Sequence, residues 1–190
     1  MRSLSCNANI KKGELMKALQ VKAISFVFGS LLLVSASSYA QQVNCLAGGQ
    51  ALNVNNANVL QWKSSTHNQY RNRAHINGTL IKSYPDHSGH DHFEVQIGDQ
   101  SKDTVEVIYN EEFGAIPDIP QGATFEACGD YITANSQAGG YPPSPDGAIV
   151  HWVHQSPNPG RHDSGFLIIN GQLYGQGASG VGPKPPRHHK

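Results

Sequence analysis

Charge is scarce in this 190-residue chain: only 15% of residues are charged, and 14 Lys and Arg balance 14 Asp and Glu. No apolar run reaches the roughly 20 residues that span a bilayer as a helix, and no heptad or longer repeat recurs, which excludes a coiled coil or a repeat array. Cysteine is rare, at three residues, and none forms a Cys-x-x-Cys pair. A Gly-x-Ser-x-Gly nucleophile turn is also missing. The Gly-rich stretch Ala138-Gly139-Gly140 runs into prolines rather than Lys and a helix, so it is not a phosphate-binding loop. What is abundant is glycine, at 20 residues, and histidine, at 10.

The first 40 residues read as an export signal. Lys17 and Lys22 form the basic region, Ala23 to Val34 the apolar stretch, and Ser38-Tyr39-Ala40 a small-x-small site that predicts cleavage after Ala40. Gln42, Val43 and Asn44 precede Cys45, a context that argues against a lipid anchor, so the expected location is periplasmic or secreted, with no membrane attachment of the mature form. Without residues 1–40 the chain keeps nine Lys and Arg against thirteen Asp and Glu, a net charge of −4, and all ten His. Such a domain lacks the broad basic face of a nonspecific nucleic-acid binder. Cys6 departs with the signal, and the remaining Cys45 and Cys128 predict one disulfide in an oxidising compartment.

Residues 41–55 are rich in Gln, Asn, Ala and Gly and predict a flexible segment. Val59, Leu60, Trp62 and Tyr70 recur at loose helical spacing and predict one short helix within 56–70. Beyond it the period drops to two. Strands are expected at His75 to Ile81, around Phe93, Val95 and Ile97, at Thr104 to Tyr109, at Thr124 to Ile132 and at Ala148 to His154. Phe113 to Pro120 reads as a loop or single turn, and Phe166 to Tyr174 as a hairpin about Asn170-Gly171. Residues 176–190, rich in Gly, Pro and His, predict a disordered tail.

Five short strands ordered as a three-strand meander, a crossover and a two-strand hairpin, with Gly78 in the first strand to permit coiling, predict a mainly β domain over 56–175. Its expected form is a small five-stranded OB-type barrel with an N-terminal helix and an added C-terminal hairpin. The phrase Gly122-Ala123-Thr124-Phe125-Glu126-Ala127-Cys128-Gly129-Asp130-Tyr131 resembles the fourth-strand entry of many OB folds. A β-sandwich satisfies the same strand count and spacing.

Two histidine clusters carry the chemistry. Asp86-His87-Ser88-Gly89-His90-Asp91-His92 packs three imidazoles and two carboxylates into seven residues, which makes His87, His90 and His92 candidate ligands for a divalent transition metal such as zinc. A polar surface loop with coincidental histidines is the plain alternative. The second cluster runs from His151-Trp152-Val153-His154 to Arg161-His162-Asp163. In a regular strand His151 and His154 face opposite sides, so they share a ligand only if the strand ends or bulges near Val153. Arg161 can grip a phosphate, and a neighbouring imidazole can move a proton near neutral pH.

The segments Gly147 to His154, Gly160 to Phe166 and Asn170 to Tyr174, with His90-x-x-Phe93, resemble a family of small exported bacterial proteins classed only as a domain of unknown function. This chain has Asp91 where that pattern places Gln. The resemblance implies no established activity and directs interest to His90, His151, His154, Arg161 and His162.

Two classes of function follow. One is a phosphate-ligand or nucleic-acid binding protein with phosphodiester hydrolysis, using Arg161 on the phosphate and His90, His151 or His162 as acid and base. The other is non-enzymatic: a periplasmic metal-binding protein or a protein or glycan interaction module. The expected ligand is an anionic small molecule or a nucleic acid, and the expected state a monomer.

Overall fold

The computed structural model describes residues 43–158 and 160–177, so the segment expected to be an export signal, the expected cleavage position and nearly all of the expected tail lie outside the described residues. The domain is mainly β, with a single α-helix among the described residues. A two-stranded hairpin, β1 (Leu46–Ala47) and β2 (Gln50–Ala51), precedes helix α1 (Asn56–Ser65). Strands β3 (Arg71–His87), β4 (His90–Gln96), β5 (Thr104–Asn110), β6 (Thr124–Thr133), β7 (Ala148–His151), β8 (Phe166–Ile169) and β9 (Gln172–Tyr174) form one mixed sheet.

Strand β3 organises that sheet. Its first half pairs antiparallel with β6, from Arg71 opposite Ile132 to Thr79 opposite Thr124. Its second half pairs antiparallel with β4, beginning at Thr79 opposite Gln96. From β4 the pairing runs to β5, from β5 in parallel to β7, and from β7 to β6, which returns to β3. The handover happens beside Gly78, where a Cβ would collide with the backbone carbonyl oxygen of Gln96 and press on Val95. Only glycine lets the two strands approach so closely.

Alternation sorts the side chains. Ala74, Ile76, Leu80, Phe93, Val95, Val105, Val107, Phe125, Ala127 and Val150 are buried within one apolar core. Arg73, His75, His92, Glu94, Asp130 and His151 take the opposite parity and face outward. Helix α1 closes on the sheet through Val59 and through Trp62, whose ring lies 5.4 Å from that of Tyr131. Asn56 Nδ2 donates to the carbonyls of Asn77 at 2.7 Å and Ile97 at 2.9 Å, fixing the helix start. The helix ends at Ser65, short of Tyr70, because Thr66 is already extended and Gln69 takes a positive φ of 68°.

Two expectations change. Residues 41–55 are not featureless: β1 and β2 pair there, and Cys45 is buried in a disulfide with Cys128, closing 83 residues of chain. The strand expected over Ala148 to His154 stops at His151, since Trp152 adopts φ 54° and turns the chain out of the sheet. The expected C-terminal hairpin is present and extends the same sheet, with β8 pairing to β6 and β9 to β8. The β8–β9 turn is Asn170-Gly171, both residues at positive φ as a two-residue hairpin requires.

Gly78→Val places branched carbons where the Gln96 carbonyl stands. It is expected to lower stability by about 1–3 kcal/mol or more in urea titration. Wild-type stability in the variant would show that the close approach of β3 and β4 is not a constraint.

Candidate functional site

The early end of β7 decides the site. In that left-handed turn Trp152 stacks on His151 at 4.8 Å between ring centroids and on His162 at 5.9 Å. The Arg71 guanidinium lies 5.7 Å from the same indole centroid. A bulky residue at positive φ costs on the order of 1–3 kcal/mol. Two stacked neighbours and a cation over the ring offset that cost.

The two histidine clusters meet because β4, β5 and β7 are successive in the sheet. His90 begins β4 and His151 ends β7, and their rings approach to 5.7 Å. Beyond Trp152 a cavity of about 550 Å³ opens. Its walls include Arg71, Phe113, His154, Arg161 and His162, but not His87, His90, His92 or His151. Thus Arg161 and His162 share the cavity with His154, while His90 and His151 adjoin it through the Trp152 stack. The expectation that His151 and His154 face opposite sides no longer applies, because the strand ends at His151.

Hydrogen bonds fix the ring orientations. His154 Nδ1 donates to the Gln155 carbonyl at 2.9 Å, His162 Nδ1 to the Asp163 carbonyl at 2.9 Å, and His90 Nδ1 to the Ser88 carbonyl at 3.2 Å. In each case Nε2 is left as a bare lone pair. His154 is only 5% exposed and lies flat on Phe113 at 3.6 Å. No fully buried side-chain nitrogen or oxygen among the described residues lacks a partner, so its unbonded Nε2 reaches the cavity.

The metal set expected from sequence does not assemble. His90 and His92 do share the outer face, yet His92 Nδ1 is bound to Glu106 Oε1 at 2.7 Å, and His87 Nδ1 contacts Ser88 Oγ at 3.1 Å. Among the described residues no three His, Cys, Asp or Glu side chains group as metal ligands. Arg161 does not pair with Asp163, whose Oδ2 accepts instead from the Gly48 amide at 2.7 Å. Neither Arg71 nor Arg161 has an ion-pair partner among the described residues, whereas Arg73 neutralises Asp130 at 2.6 Å.

Sequence reasoning missed Arg71 and Phe113, which stand at the start of β3 and at the end of a 3-10 turn (Glu111–Phe113) and reach the cavity only through the fold. A separate titratable group around Asp146 is closed on itself. Asp146 accepts from Thr104 and Tyr84, and burial raises its pKa while also lifting that of Tyr84.

Burial, with smaller contributions from His90, His154, His92 and His162, lowers the pKa of His151 to about 4 from its ordinary 6.5. Burial also lowers that of His154, against the pull of its hydrogen bond to Gln155. The unfolded chain therefore takes up protons that the folded chain refuses. This stabilisation is complete above pH 6.5 and is lost as pH falls toward 4, by up to about 3 kcal/mol from His151. In urea titrations between pH 7 and 4, His151→Gln is expected to flatten that acid-side loss. An unchanged pH slope would contradict a neutral, desolvated His151.

No family model, no curated protein and no solved structure matches this chain.

Proposed function

We propose that this is an exported OB-type barrel protein whose cavity binds a phosphate-bearing ligand and hydrolyses its phosphodiester bond. The barrel rests on the pairing circuit: counted from β3, the order is 1-2-3-5-4-1, with the third and fifth strands parallel. An OB barrel uses its second and third strands, with the loops after the first and fourth, as a ligand face. Here those are β4, β5 and the loops at 88–89 and 134–147. Asn110, the last residue of β5, lines the cavity at the margin of this face. The export reading draws support from the Cys45–Cys128 bridge, which suits an oxidising compartment. No described helix is long and apolar enough to cross a membrane.

One observation carries the ligand class. Arg71 and Arg161, without carboxylate partners, share a cavity with two imidazoles that each present Nε2. Guanidinium groups bind phosphate oxygens through paired N–H donors, and imidazole is the side chain suited to proton transfer or to activating water near pH 7. Of the two carboxylates in the same wall, Asp130 is paired with Arg73, which leaves Glu112 against the two guanidinium groups of Arg71 and Arg161. The resemblance to small exported bacterial proteins adds the same positions, His154, Arg161 and His162, without adding an activity.

The test is hydrolysis of RNA, DNA and a chromogenic phosphodiester by the processed protein, together with inorganic phosphate titration. Arg161→Ala is expected to weaken phosphate binding about tenfold. His162→Ala is expected to lower turnover about 10²-fold while keeping stability within roughly 1 kcal/mol. Absence of both phosphate binding and turnover would overturn the reading in favour of an interaction module. Intact mass of the exported protein should start at Gln41 and show Cys45 and Cys128 alkylated only after reduction; another N-terminus would refute cleavage after Ala40.

A further inference from the structure

We infer that His154 and His162 form a two-imidazole site for one divalent transition-metal ion of the zinc class, open to the cavity that Arg71 and Arg161 line. The inference extends the reading of that cavity, but its evidence is separate: it concerns two nitrogens that have nothing to bind.

Each ring spends its Nδ1 hydrogen on a backbone carbonyl, His154 on Gln155 and His162 on Asp163, both at 2.9 Å. A neutral imidazole has one N–H, so both Nε2 atoms are acceptors only. The two rings meet edge to face, with centroids 5.5 Å apart and planes at 88°. Two acceptor nitrogens on neighbouring rings of one cavity wall are a ligand set for a hydrogen-bond donor or a cation. An N–H to carbonyl bond on the far nitrogen is also the arrangement that orients metal-bound histidines and makes Nε2 a better ligand.

The spacing fits an ion. Zinc sits about 2.0–2.1 Å from an imidazole nitrogen, so two rings on one ion at tetrahedral or slightly wider angles have centroids roughly 5–6 Å apart. The observed 5.5 Å falls in that interval. Both rings are also held in place from behind. His154 rests on Phe113 at 3.6 Å, and His162 on Trp152 at 5.9 Å. His154 is 95% buried as a residue, yet its unbonded Nε2 is in the cavity wall, a placement that core packing does not require. With two protein ligands and no third His, Cys, Asp or Glu grouped with them among the described residues, the remaining positions belong to water or to an oxygen of a bound anion.

This site replaces the ligand set expected from the dense run at His87, His90 and His92. Neither histidine of the pair belongs to that run. The tail residues His188 and His189 are a separate source of metal affinity and must be silenced in any test.

The experiment is equilibrium dialysis and calorimetric titration of Zn²⁺ into the full processed chain carrying His188→Ala and His189→Ala. The expected result is one saturable equivalent per chain. His162→Ala should weaken it at least tenfold, and His154→Gln should do the same. The combined variant His87→Ala, His90→Ala, His92→Ala should leave it unchanged. Because His154 is buried, its variant is read only if its thermal unfolding is cooperative; the half-buried His162 gives an independent readout. Long-range ¹⁵N spectra of the ring nitrogens should show Zn²⁺ shifting Nε2 of these two residues. No bound Zn²⁺, full affinity in His162→Ala, or loss confined to the His87, His90 and His92 variant would each overturn the inference. Phosphate binding without Zn²⁺ binding would remove this inference alone. Zn²⁺ binding without phosphate binding or hydrolysis would remove the phosphodiester reading alone.

Discussion

The handover of β3 from β6 to β4 at Thr79 is the constraint on which the rest of the molecule depends. One strand serving two partners closes the run of pairings, and it does so because Gly78 removes the side chain that would hold the strands apart. Closure gives each strand an inside and an outside. Inside stand the branched and aromatic residues whose burial drives folding. Outside, with their parity fixed by the same register, stand Arg73, Asp130, His151, His90 and His92. A one-residue slip in β3 would exchange these sets, so the polar face is specified by the same apolar pattern that builds the core.

Arg73 extends this constraint to the site. From the outward face of β3 its guanidinium holds Asp130 of β6 at 2.6 Å, the Ser164 carbonyl at 2.6 Å and the Leu46 carbonyl at 2.9 Å. One side chain thereby joins the sheet, the N-terminal hairpin and the segment that carries Arg161 and His162. The Cys45–Cys128 bridge anchors the hairpin to β6, and the Gly48 amide holds Asp163, the residue after His162. The short hairpin β1–β2 is thus a brace for the cavity wall. Its loop composition hides this, because its own residues bury little and its value lies in what it touches.

Much of the fold was legible in the sequence. The alternation Val105-Glu106-Val107 and Phe125-Glu126-Ala127, and the Asn170-Gly171 turn, are local signals that the structure follows within a few residues. The disulfide followed from compartment and count. The end of β7 was not legible, since no propensity places a Trp at φ 54°; that conformation is held by His151, His162 and Arg71, which come from three different stretches of chain. The neighbouring of His90 and His151 likewise depends on β5 and β7 being parallel partners, a non-local fact. For His92 the face was readable from parity, but its partner Glu106 sits on the adjacent strand, a contact that the local sequence does not reveal.

Local density of histidine is therefore a poorer guide to chemistry than the fate of each ring nitrogen. His75 has both nitrogens engaged, by the Leu52 carbonyl and Glu126, and ties β3 to its surroundings. In His92 one nitrogen is committed to a carboxylate, while His151 is packed against Trp152 and His90 and kept neutral by burial. His154 and His162 add a shared location: each has Nδ1 fixed by a backbone carbonyl, and both rings line one cavity wall with Arg71 and Arg161, which have no ion-pair partner among the described residues. The run from His87 to His92 supplies three of the ten histidines and none of that wall. What joins His154 and His162 is the cavity wall they share, and spacing along the chain does not reveal that wall.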